Sequence, residues 1–430
     1  MTLADPNDPS HKSWIPVSPE SHFPIQNLPF GRFCRRGRTR AAVRFGVAIG
    51  EFIVDLGVLA EAGLFDGLHH SAAFTAKPDL TFFFDRDRDV LRQYRRRISE
   101  LLREDNRALR DDRELRPDAI VPQADVDMLL PCAIGDYTDF YSSRYHATNV
   151  GTMLRGSDNA LQPNWLHLPV AYHGRSGSIV PSGTPIRRPL GQTKADSATS
   201  PTYGPTKALD YELELGFLVG KESEFGEPVP ISEAADHLFG AVLVNDWSAR
   251  DIQKWEYVPL GPFLAKNFAT TISPWVVTME ALEPFRCAGP TQEPAPLPHL
   301  KSEGKQAFDI RLKVRLKGVD GTNMTICETN AKHLYWNVTQ QLAHHTSNGC
   351  NLRAGDLLAT GTISGPTKEE RGCLIERTWG GAEPLAGVNG DPIRFLRDGD
   401  ELTIEGWCQG DDYRVGFGTA VGRVLPALEG

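Results

Sequence analysis

Two glutamates, Glu212 and Glu214, stand two residues apart in a stretch where Tyr211, Leu213 and Leu215 alternate with them. This alternation predicts a half-buried β-strand from which both glutamates project on the same face. Two like charges so placed repel each other unless a positive group lies between them. A hard divalent cation would remove the conflict, because such ions prefer carboxylate oxygens. The alternative is a pair of solvated glutamates on an exposed sheet face.

Two further acids and a histidine come from other segments. Asp139 and His146 lie seven residues apart, on one face if residues 136–146 are helical. Asp246 follows an apolar run at 241–244 that is typical of a buried strand. The four acids could converge on one metal ion. His146 could serve as a general base because imidazole titrates near neutral pH, although a lone histidine is more often structural, and His173 and 344–345 stay candidates.

A polar group follows Asp246 at helical spacings of four, seven and eleven residues: Arg250, Gln253 and Tyr257. A helix beginning near Asp246 would present all of them on one face, whereas a simple Asp246–Arg250 surface ion pair is the alternative. Lys266 and Thr270 lie in a mostly apolar segment, where a buried lysine is costly unless it is paired. Local positive charge of this kind suits an anionic substrate in a chain whose net charge is -9.

The elements that must position these residues are mostly strands. Alternating or continuous apolar runs predict strands at 41–57, 241–244, 308–316 and 401–405. A helix is expected at 88–104, and the proline-containing run 111–127 reads as a linker. We therefore predict a mainly β (α+β) chain with an N-terminal domain and linker at 1–120 and a catalytic, metal-binding domain at 121–430.

Composition excludes several classes of protein. The acidic balance argues against nucleic-acid binding, and no apolar stretch approaches a membrane span. Seven scattered cysteines without a C-x-x-C pair predict a reducing, cytoplasmic location. The nucleophile elbow, the H-E-x-x-H helix, the phosphate-binding loop and the dinucleotide fingerprint are all missing from the sequence.

Longer motifs carry a family resemblance. They include Gly-Asp-Tyr-Thr-Asp-Phe-Tyr-Ser-Ser at 135–143, His-Ala-Thr-Asn-Val-Gly at 146–151, Asn-Asp-Trp-Ser-Ala-Arg-Asp-Ile-Gln at 245–253 and Gly-Thr-Ile-Ser-Gly-Pro at 361–366. With these the chain resembles the fumarylacetoacetate hydrolase family from its N-terminal strands nearly to its C-terminus, although residues 367–375 depart from the family pattern. The resemblance implies a small N-terminal SH3-like barrel followed by a larger mixed β-roll that forms a homodimer.

The resemblance also implies roles for individual residues. A calcium site is implied at Asp139, Glu212, Glu214 and Asp246, with a neighbouring magnesium site linked to Lys266 and Thr270. His146 matches the general base and Glu376 the carboxylate that orients it. Groups near the developing charge are Arg250, Gln253 and Lys266. Substrate contacts are implied for Tyr141, Arg155, Tyr172, Gln253, Tyr257 and Thr362.

The reaction implied is metal-dependent hydrolysis of a carbon–carbon bond in a dicarboxylate diketone, 4-fumarylacetoacetate, to fumarate and acetoacetate. In the family this is the last step of tyrosine and phenylalanine catabolism. One alternative is another metal-dependent acylpyruvate hydrolase or decarboxylase of the same broad family. A second is a binding protein that has lost catalysis, against which the complete set of base and metal-type acids argues.

Overall fold

The computed structural model describes residues 5–37, 43–68, 73–84, 86–388 and 390–429. Strands outnumber helices in this part of the chain, and a smaller N-terminal sheet precedes a larger C-terminal assembly. The prediction of a mainly β (α+β) fold with a small first domain is therefore confirmed. The described helices include none long and apolar enough to cross a membrane.

The N-terminal part is built on five described strands: β1 (Phe30–Arg35), β2 (Val43–Ile49), β3 (Phe52–Asp55), β4 (Ile120–Pro122) and β5 (Val126–Leu129). Its helices are α1 (Leu56–Glu61), α2 (Ala73–Ala76), α3 (Arg88–Leu102) and α4 (Arg116–Ala119). The strands form one antiparallel sheet in the order β4-β3-β2-β1-β5. The strands predicted at 41–57 are β2 and β3, with residues 41 and 42 outside the described residues. The helix predicted at 88–104 is α3, and its apolar stripe is buried.

Residues 111–127 do not form the predicted linker. Strand β4 pairs with β3 and strand β5 pairs with β1, so both belong to the N-terminal sheet. Val121 and Val126 are buried there, while Pro122 ends β4 at the edge of the sheet, where its missing N–H costs no ladder bond. We therefore propose that the domain boundary, predicted at residue 120, lies after β5.

The C-terminal strands are β6 (Tyr137–Phe140), β7 (Ala171–His173), β8 (Ile179–Pro181), β9 (Ile186–Arg187), β10 (Leu190–Thr193), β11 (Thr202–Pro205), β12 (Leu209–Asp210), β13 (Leu213–Val219), β14 (Leu238–Asp246), β15 (Ser248–Ala249), β16 (Thr270–Ile272), β17 (Val277–Thr278), β18 (Arg286–Cys287), β19 (Ala307–Phe308), β20 (Arg311–Lys317), β21 (Asn323–Asn330), β22 (Leu357–Ala359), β23 (Leu385–Ala386), β24 (Pro392–Ile393), β25 (Glu401–Gln409) and β26 (Arg414–Leu425). The helices are α5 (Arg144–Arg155), α6 (Arg250–Glu256), α7 (Met279–Leu282), α8 (Val338–Thr346) and α9 (Leu374–Arg377).

Two sheets dominate this part. The first has the order β7-β6-β22-β13-β14-β16-β8, with β17 also paired to β14, and the second has the order β21-β20-β25-β26-β9. The run predicted at 241–244 lies in β14, which is buried along its whole length. The alternation at 308–316 becomes β19 and β20, and in β20 Leu312, Val314 and Leu316 are buried in the core. The strand predicted at 401–405 is the start of β25.

The register of the first sheet gathers the predicted acids at one place. Asp139 on β6 lies opposite Tyr172 on β7, and Asp246 at the end of β14 lies opposite Thr270 on β16. Glu214 on β13 lies opposite Val244 on β14. Because β6, β13 and β14 are neighbours or near neighbours in the sheet, their acidic side chains come together.

Candidate active site

An acidic cluster lies at the centre of the site. It consists of Asp139, Glu212, Glu214 and Asp246, all buried, and each offers a carboxylate oxygen within 4.8 Å of the others. Glu212 and Glu214 lie on a fully buried segment and not on the half-buried strand that their spacing predicted. The convergence of the four acids agrees with the sequence analysis.

Two oxygens of the cluster have no hydrogen-bond partner among the described residues: Oδ1 of Asp139 and Oε1 of Glu214. Burial, together with the neighbouring carboxylates, raises the pKa of both side chains well above their ordinary values. A buried acceptor without a donor is costly, and so is a buried group of like charges. These oxygens therefore fit a cation that the protein itself does not supply.

Two cations already lie against the cluster. Lys266 Nζ contacts Glu212 Oε2 at 2.6 Å and Asp246 Oδ2 at 2.7 Å, and Arg250 Nη1 contacts Glu212 Oε1 at 2.7 Å. Burial would raise the pKa of Glu212, but Lys266 and Arg250 outweigh it and hold this pKa below its ordinary value. These two cations contact Glu212 and Asp246, while Asp139 and Glu214 have no ion-pair partner among the described residues.

The other neighbours of Asp246 are hydroxyl groups. Tyr172 donates its hydroxyl to Asp246 Oδ2 at 3.0 Å, and Thr270 donates to Asp246 Oδ1 at 3.2 Å. Burial lowers the pKa of Lys266, but the charges of Asp246 and Glu212 outweigh this and raise it. A protonated ammonium has no lone pair to give a metal, so we propose that the Lys266 side chain is a counter-charge beside the ion rather than a ligand.

A histidine–carboxylate pair lies beside the cluster. His146 Nδ1 is 2.5 Å from Glu376 Oε2, and both side chains are buried. Burial would raise the pKa of Glu376, but the charge and hydrogen bond of His146 outweigh it and lower the pKa to about 2. An ionised carboxylate can only accept, so Nδ1 carries the proton, and when the ring is neutral its lone pair lies on Nε2.

Three further donors hold Glu376, and sequence reasoning missed all of them. Asn149 Nδ2 donates to Oε1 at 2.8 Å, while Ser364 Oγ and Cys373 Sγ donate to Oε2 at 2.9 Å and 3.0 Å. Burial and the Glu376 charge raise the pKa of the Cys373 thiol well above its ordinary value, so the thiol stays protonated. These hydrogen bonds explain why His146, Cys373 and Glu376 lie so close together.

A cavity of about 440 Å³ opens onto these groups. Of the predicted site residues, those that line it are Asp139, Tyr141, His146, Arg155, Tyr172, Glu212, Arg250, Gln253, Tyr257, Lys266 and Thr362. Those behind its wall are Glu214, Asp246, Thr270 and Glu376. Residues placed far apart in the sequence are thus brought to one cavity.

The helices that carry these residues begin later than predicted. Residues 137–140 form strand β6, and α5 begins at Arg144, where Ser143 Oγ accepts the backbone N–H of His146 at 3.3 Å. Asp139 and His146 therefore do not share a helical face. Asp246 ends β14 and α6 begins at Arg250, so Asp246 is not on that helix either. The Arg250–Gln253 part of the prediction holds, since Arg250 Nη1 donates to Gln253 Oε1 at 3.1 Å.

The residues predicted to contact substrate differ in their present partners. Arg155 donates Nε to the carbonyl of Asn159 at 3.1 Å and Nη2 to that of Ala160 at 2.7 Å. Thr362 Oγ1 is buried and has no hydrogen-bond partner among the described residues. The Tyr141 ring stands edge-on to the His146 ring, with centroids 5.1 Å apart, and so limits its rotation.

Comparison with known proteins gives consistent matches. A family model described as fumarylacetoacetate (FAA) hydrolase C-terminal matches residues 137–425, and one described as fumarylacetoacetase N-terminal matches residues 26–131. The chain is 55% identical to fumarylacetoacetase of Bos taurus over 421 residues, which is 97% of this chain and 99% of that protein. The values for fumarylacetoacetase of Homo sapiens are the same.

The solved structures match in fold. A fumarylacetoacetate hydrolase from Exiguobacterium antarcticum superposes with a TM-score of 0.50 at 19% identity, covering 93% of this chain and 99% of its own. At that identity the likeness supports the fold alone.

Proposed function

The chain belongs to the fumarylacetoacetate hydrolase family, and on that premise we propose that it hydrolyses the carbon–carbon bond of 4-fumarylacetoacetate to give fumarate and acetoacetate. The observation that carries the proposal is the meeting, in one cavity, of the His146–Glu376 pair and an acidic cluster with two unpartnered oxygens. A hydrolysis that expels a carbon leaving group needs both a base and stabilisation of an enolate.

His146 acts as the general base in this scheme. Its Nε2 takes a proton from a water molecule, and the hydroxide so formed attacks the carbonyl carbon next to the bond that breaks. Glu376 accepts from Nδ1 throughout, which fixes the tautomer and stabilises the imidazolium. When the carbon–carbon bond breaks, its electron pair leaves as the enolate of acetoacetate. The proton held by His146 then returns to carbon.

The cations and amide of the site stabilise the enolate. Arg250 lines the cavity, and its Nη2 is buried without a hydrogen-bond partner among the described residues, so we propose that it donates to an oxygen of the bound substrate. Gln253 is held beside it by the 3.1 Å hydrogen bond. Lys266 adds a second positive charge at the wall of the cavity. Preorganised donors of this kind contribute most where charge develops.

We propose Ca²⁺ at the acidic cluster and Mg²⁺ beside it, near Lys266 and Thr270. The cluster offers oxygen ligands alone, which is the donor set of hard divalent cations. A divalent cation bound there would polarise the diketone oxygens as a Lewis acid. Metal content of the purified protein, measured by inductively coupled plasma mass spectrometry, tests the identity of each ion.

We also propose the substrate contacts of Tyr141, Arg155, Tyr172, Tyr257 and Thr362, all of which line the cavity. Arg155 Nη1 makes no hydrogen bond within the described residues, so it is the nitrogen available to a substrate carboxylate. Tyr172 reaches the substrate while its hydroxyl is donated to Asp246.

A homodimer and a cytoplasmic location complete the proposal. The segment 255–264 exposes a group of apolar side chains next to the cavity, including Val258 (67% exposed), Leu260 (95%) and Phe263 (67%). Such a patch is typical of an interface. Light scattering should therefore give twice the mass of 47.5 kDa, and Val258→Asp with Phe263→Asp should halve it, while the control Phe225→Asp should not. The cytoplasmic assignment rests on the seven free cysteines.

One assay tests the activity. The purified protein is given 4-fumarylacetoacetate, an acylpyruvate and oxaloacetate in turn, with and without a chelator, and loss of substrate absorbance is followed. We expect the highest kcat/KM with 4-fumarylacetoacetate. A higher value with either of the other substrates would assign the chain to the alternative activity.

A further inference from the structure

Asp210 is a buried carboxylate to which the sequence analysis assigned no role. It ends strand β12, two residues before Glu212, and its exposed fraction is 0%. It does not line the cavity. Its two oxygens nevertheless accept hydrogen bonds from Arg250 and from helix α9, which carries Glu376.

One set of contacts is to helix α9. The backbone N–H of Leu374 donates to Asp210 Oδ1 at 2.7 Å, and that of Ile375 donates to Oδ2 at 3.0 Å. The first residues of a helix have N–H groups without intrahelical partners, and the N-cap residue here, Cys373, makes no capping hydrogen bond. Asp210 therefore caps α9 from a strand that is remote in the sequence, and Glu376 is carried on that helix.

Another contact is to Arg250. Its Nε donates to Asp210 Oδ2 at 2.8 Å, and its Nη1 reaches Glu212 and Gln253. Two of the three guanidinium nitrogens are thereby fixed, and the third, Nη2, is buried without a hydrogen-bond partner among the described residues. The oxygen that accepts from Arg250 is the same Oδ2 that accepts from Ile375.

We propose that Asp210 is a positioning residue that holds the Arg250 guanidinium and the Glu376-bearing helix in register with each other. A single carboxylate then fixes the position of Glu376, which orients the general base, and the position of Arg250, which stabilises the developing charge. The inference rests on the proposed function, because that reaction needs both the His146–Glu376 pair and Arg250. Asparagine has the same shape but only one acceptor oxygen, so it cannot serve Leu374, Ile375 and Arg250 at once.

The test is Asp210→Asn, compared with Asp400→Asn. Asp400 is a matched control because, like Asp210, it is fully buried, does not line the cavity and accepts backbone N–H groups (those of Val319 and Arg397) together with an arginine side chain, but none of these partners belongs to the site. We expect Asp210→Asn to lower kcat about 100-fold with little change in KM, the size of loss that follows displacement of a catalytic group. Asp400→Asn should keep the kcat of the unmodified protein.

A second readout needs no substrate. The proton shared by His146 Nδ1 and Glu376 should give a downfield proton resonance that is absent in His146→Gln. Asp210→Asn should shift or broaden this resonance, and Asp400→Asn should leave it in place. If the unmodified protein shows the resonance but turns over none of the three substrates, the proposed function fails, and the resonance of Asp210→Asn compared with that of Asp400→Asn still decides whether Asp210 positions the Glu376 helix.

A double-mutant cycle separates positioning from general destabilisation. If Asp210 acts through the Glu376 helix, Asp210→Asn should reduce kcat much less in a Glu376→Gln background than in the unmodified protein. Asp210→Glu is the second variant in case Asp210→Asn does not fold, since it keeps the charge but displaces it by one methylene group. The inference is overturned if a folded Asp210 variant matches its Asp400 counterpart in kcat and resonance, or if the two effects are additive.

Discussion

At the residue scale, the chemistry depends on the His146–Glu376 pair. We predict that His146→Ala lowers kcat about 10²–10⁴-fold, because a positioned general base contributes that much to rate. The fold and metal content should be unchanged, as circular dichroism and metal analysis would check. His173→Ala is the matched control, since His173 lies on β7 outside the cavity wall. Near-normal turnover by His146→Ala, with loss in His173→Ala, would move the base to His173.

Two arginines of the cavity should respond differently to replacement by lysine. Arg250 is buried and bound to Asp210, Glu212 and Gln253, contacts that a lysine cannot reproduce together, so Arg250→Lys should chiefly lower kcat. Arg155 is exposed at the end of α5, so Arg155→Lys should chiefly raise KM. Steady-state measurement of kcat and KM for both variants tests this difference. The same kinetic profile for the two would contradict these separate roles.

The single residues of the site were predictable to different degrees. The spacing of Glu212 and Glu214 predicted a metal-type pair because a strand has a period of two residues. Asn149, Ser364 and Cys373 had no such signal in the sequence. They come from separate segments and meet only in the folded structure, where each donates a hydrogen bond to the Glu376 carboxylate. Asp210 carried no signal for the same reason, because Arg250 lies 40 residues from it in the sequence and Leu374 lies 164 residues from it.

At the element scale, the strands were predicted better than the starts of the helices. Continuous or alternating apolar runs identified β14 and β20 because burial leaves a periodic pattern. The i+4 spacing of Asp246 and Arg250 suggested a helical face, but β14 continues through Asp246 and a short strand, β15, precedes α6. The start of α5 carried a usable signal in Ser143, an N-cap residue type three residues before His146.

The turn after β22 gives a prediction about one element. Gly361 has φ +74°, and a Cβ there would lie 2.1 Å from the carbonyl oxygen of Phe140. Its N–H also donates to Glu214 Oε2 at 3.1 Å. Gly361→Ala should therefore cost at least about 1–3 kcal/mol in unfolding free energy, the usual cost of a strained backbone, and should weaken metal binding as well.

Gly321→Ala is the control for Gly361→Ala. Gly321 has φ +87°, but a Cβ there would meet no atom within 4 Å. Urea denaturation and calcium titration of both variants separate backbone strain from the clash. A smaller loss of stability in Gly361→Ala than in Gly321→Ala, with unchanged calcium affinity, would show that the turn does not support the cluster.

At the scale of the whole molecule, the acidic cluster sets how stability depends on pH. Asp139 and Glu214 have pKa values raised well above the ordinary 3.8 and 4.5, chiefly by burial. The folded metal-free protein therefore holds protons that the unfolded chain releases. The contribution of these two groups to the free energy of unfolding is fully present below those ordinary values, and it is lost as pH rises through the raised pKa values. A bound cation removes this loss, because its ligands are ionised.

Thermal unfolding of the metal-free protein, with and without added calcium, measures the effect. We expect calcium to raise Tm more at about pH 8 than at about pH 5, because the protons it displaces are held more weakly at the higher pH. At a calcium concentration 100-fold above Kd the stabilisation should reach about 2.7 kcal/mol.

Glu214→Gln replaces one of the two carboxylates that have an unpartnered oxygen by a neutral amide of the same shape. It should therefore reduce both the pH dependence of the metal-free protein and its response to calcium. Equal pH dependence in the two proteins, with no calcium effect on either Tm, would mean that these four acids hold no ion.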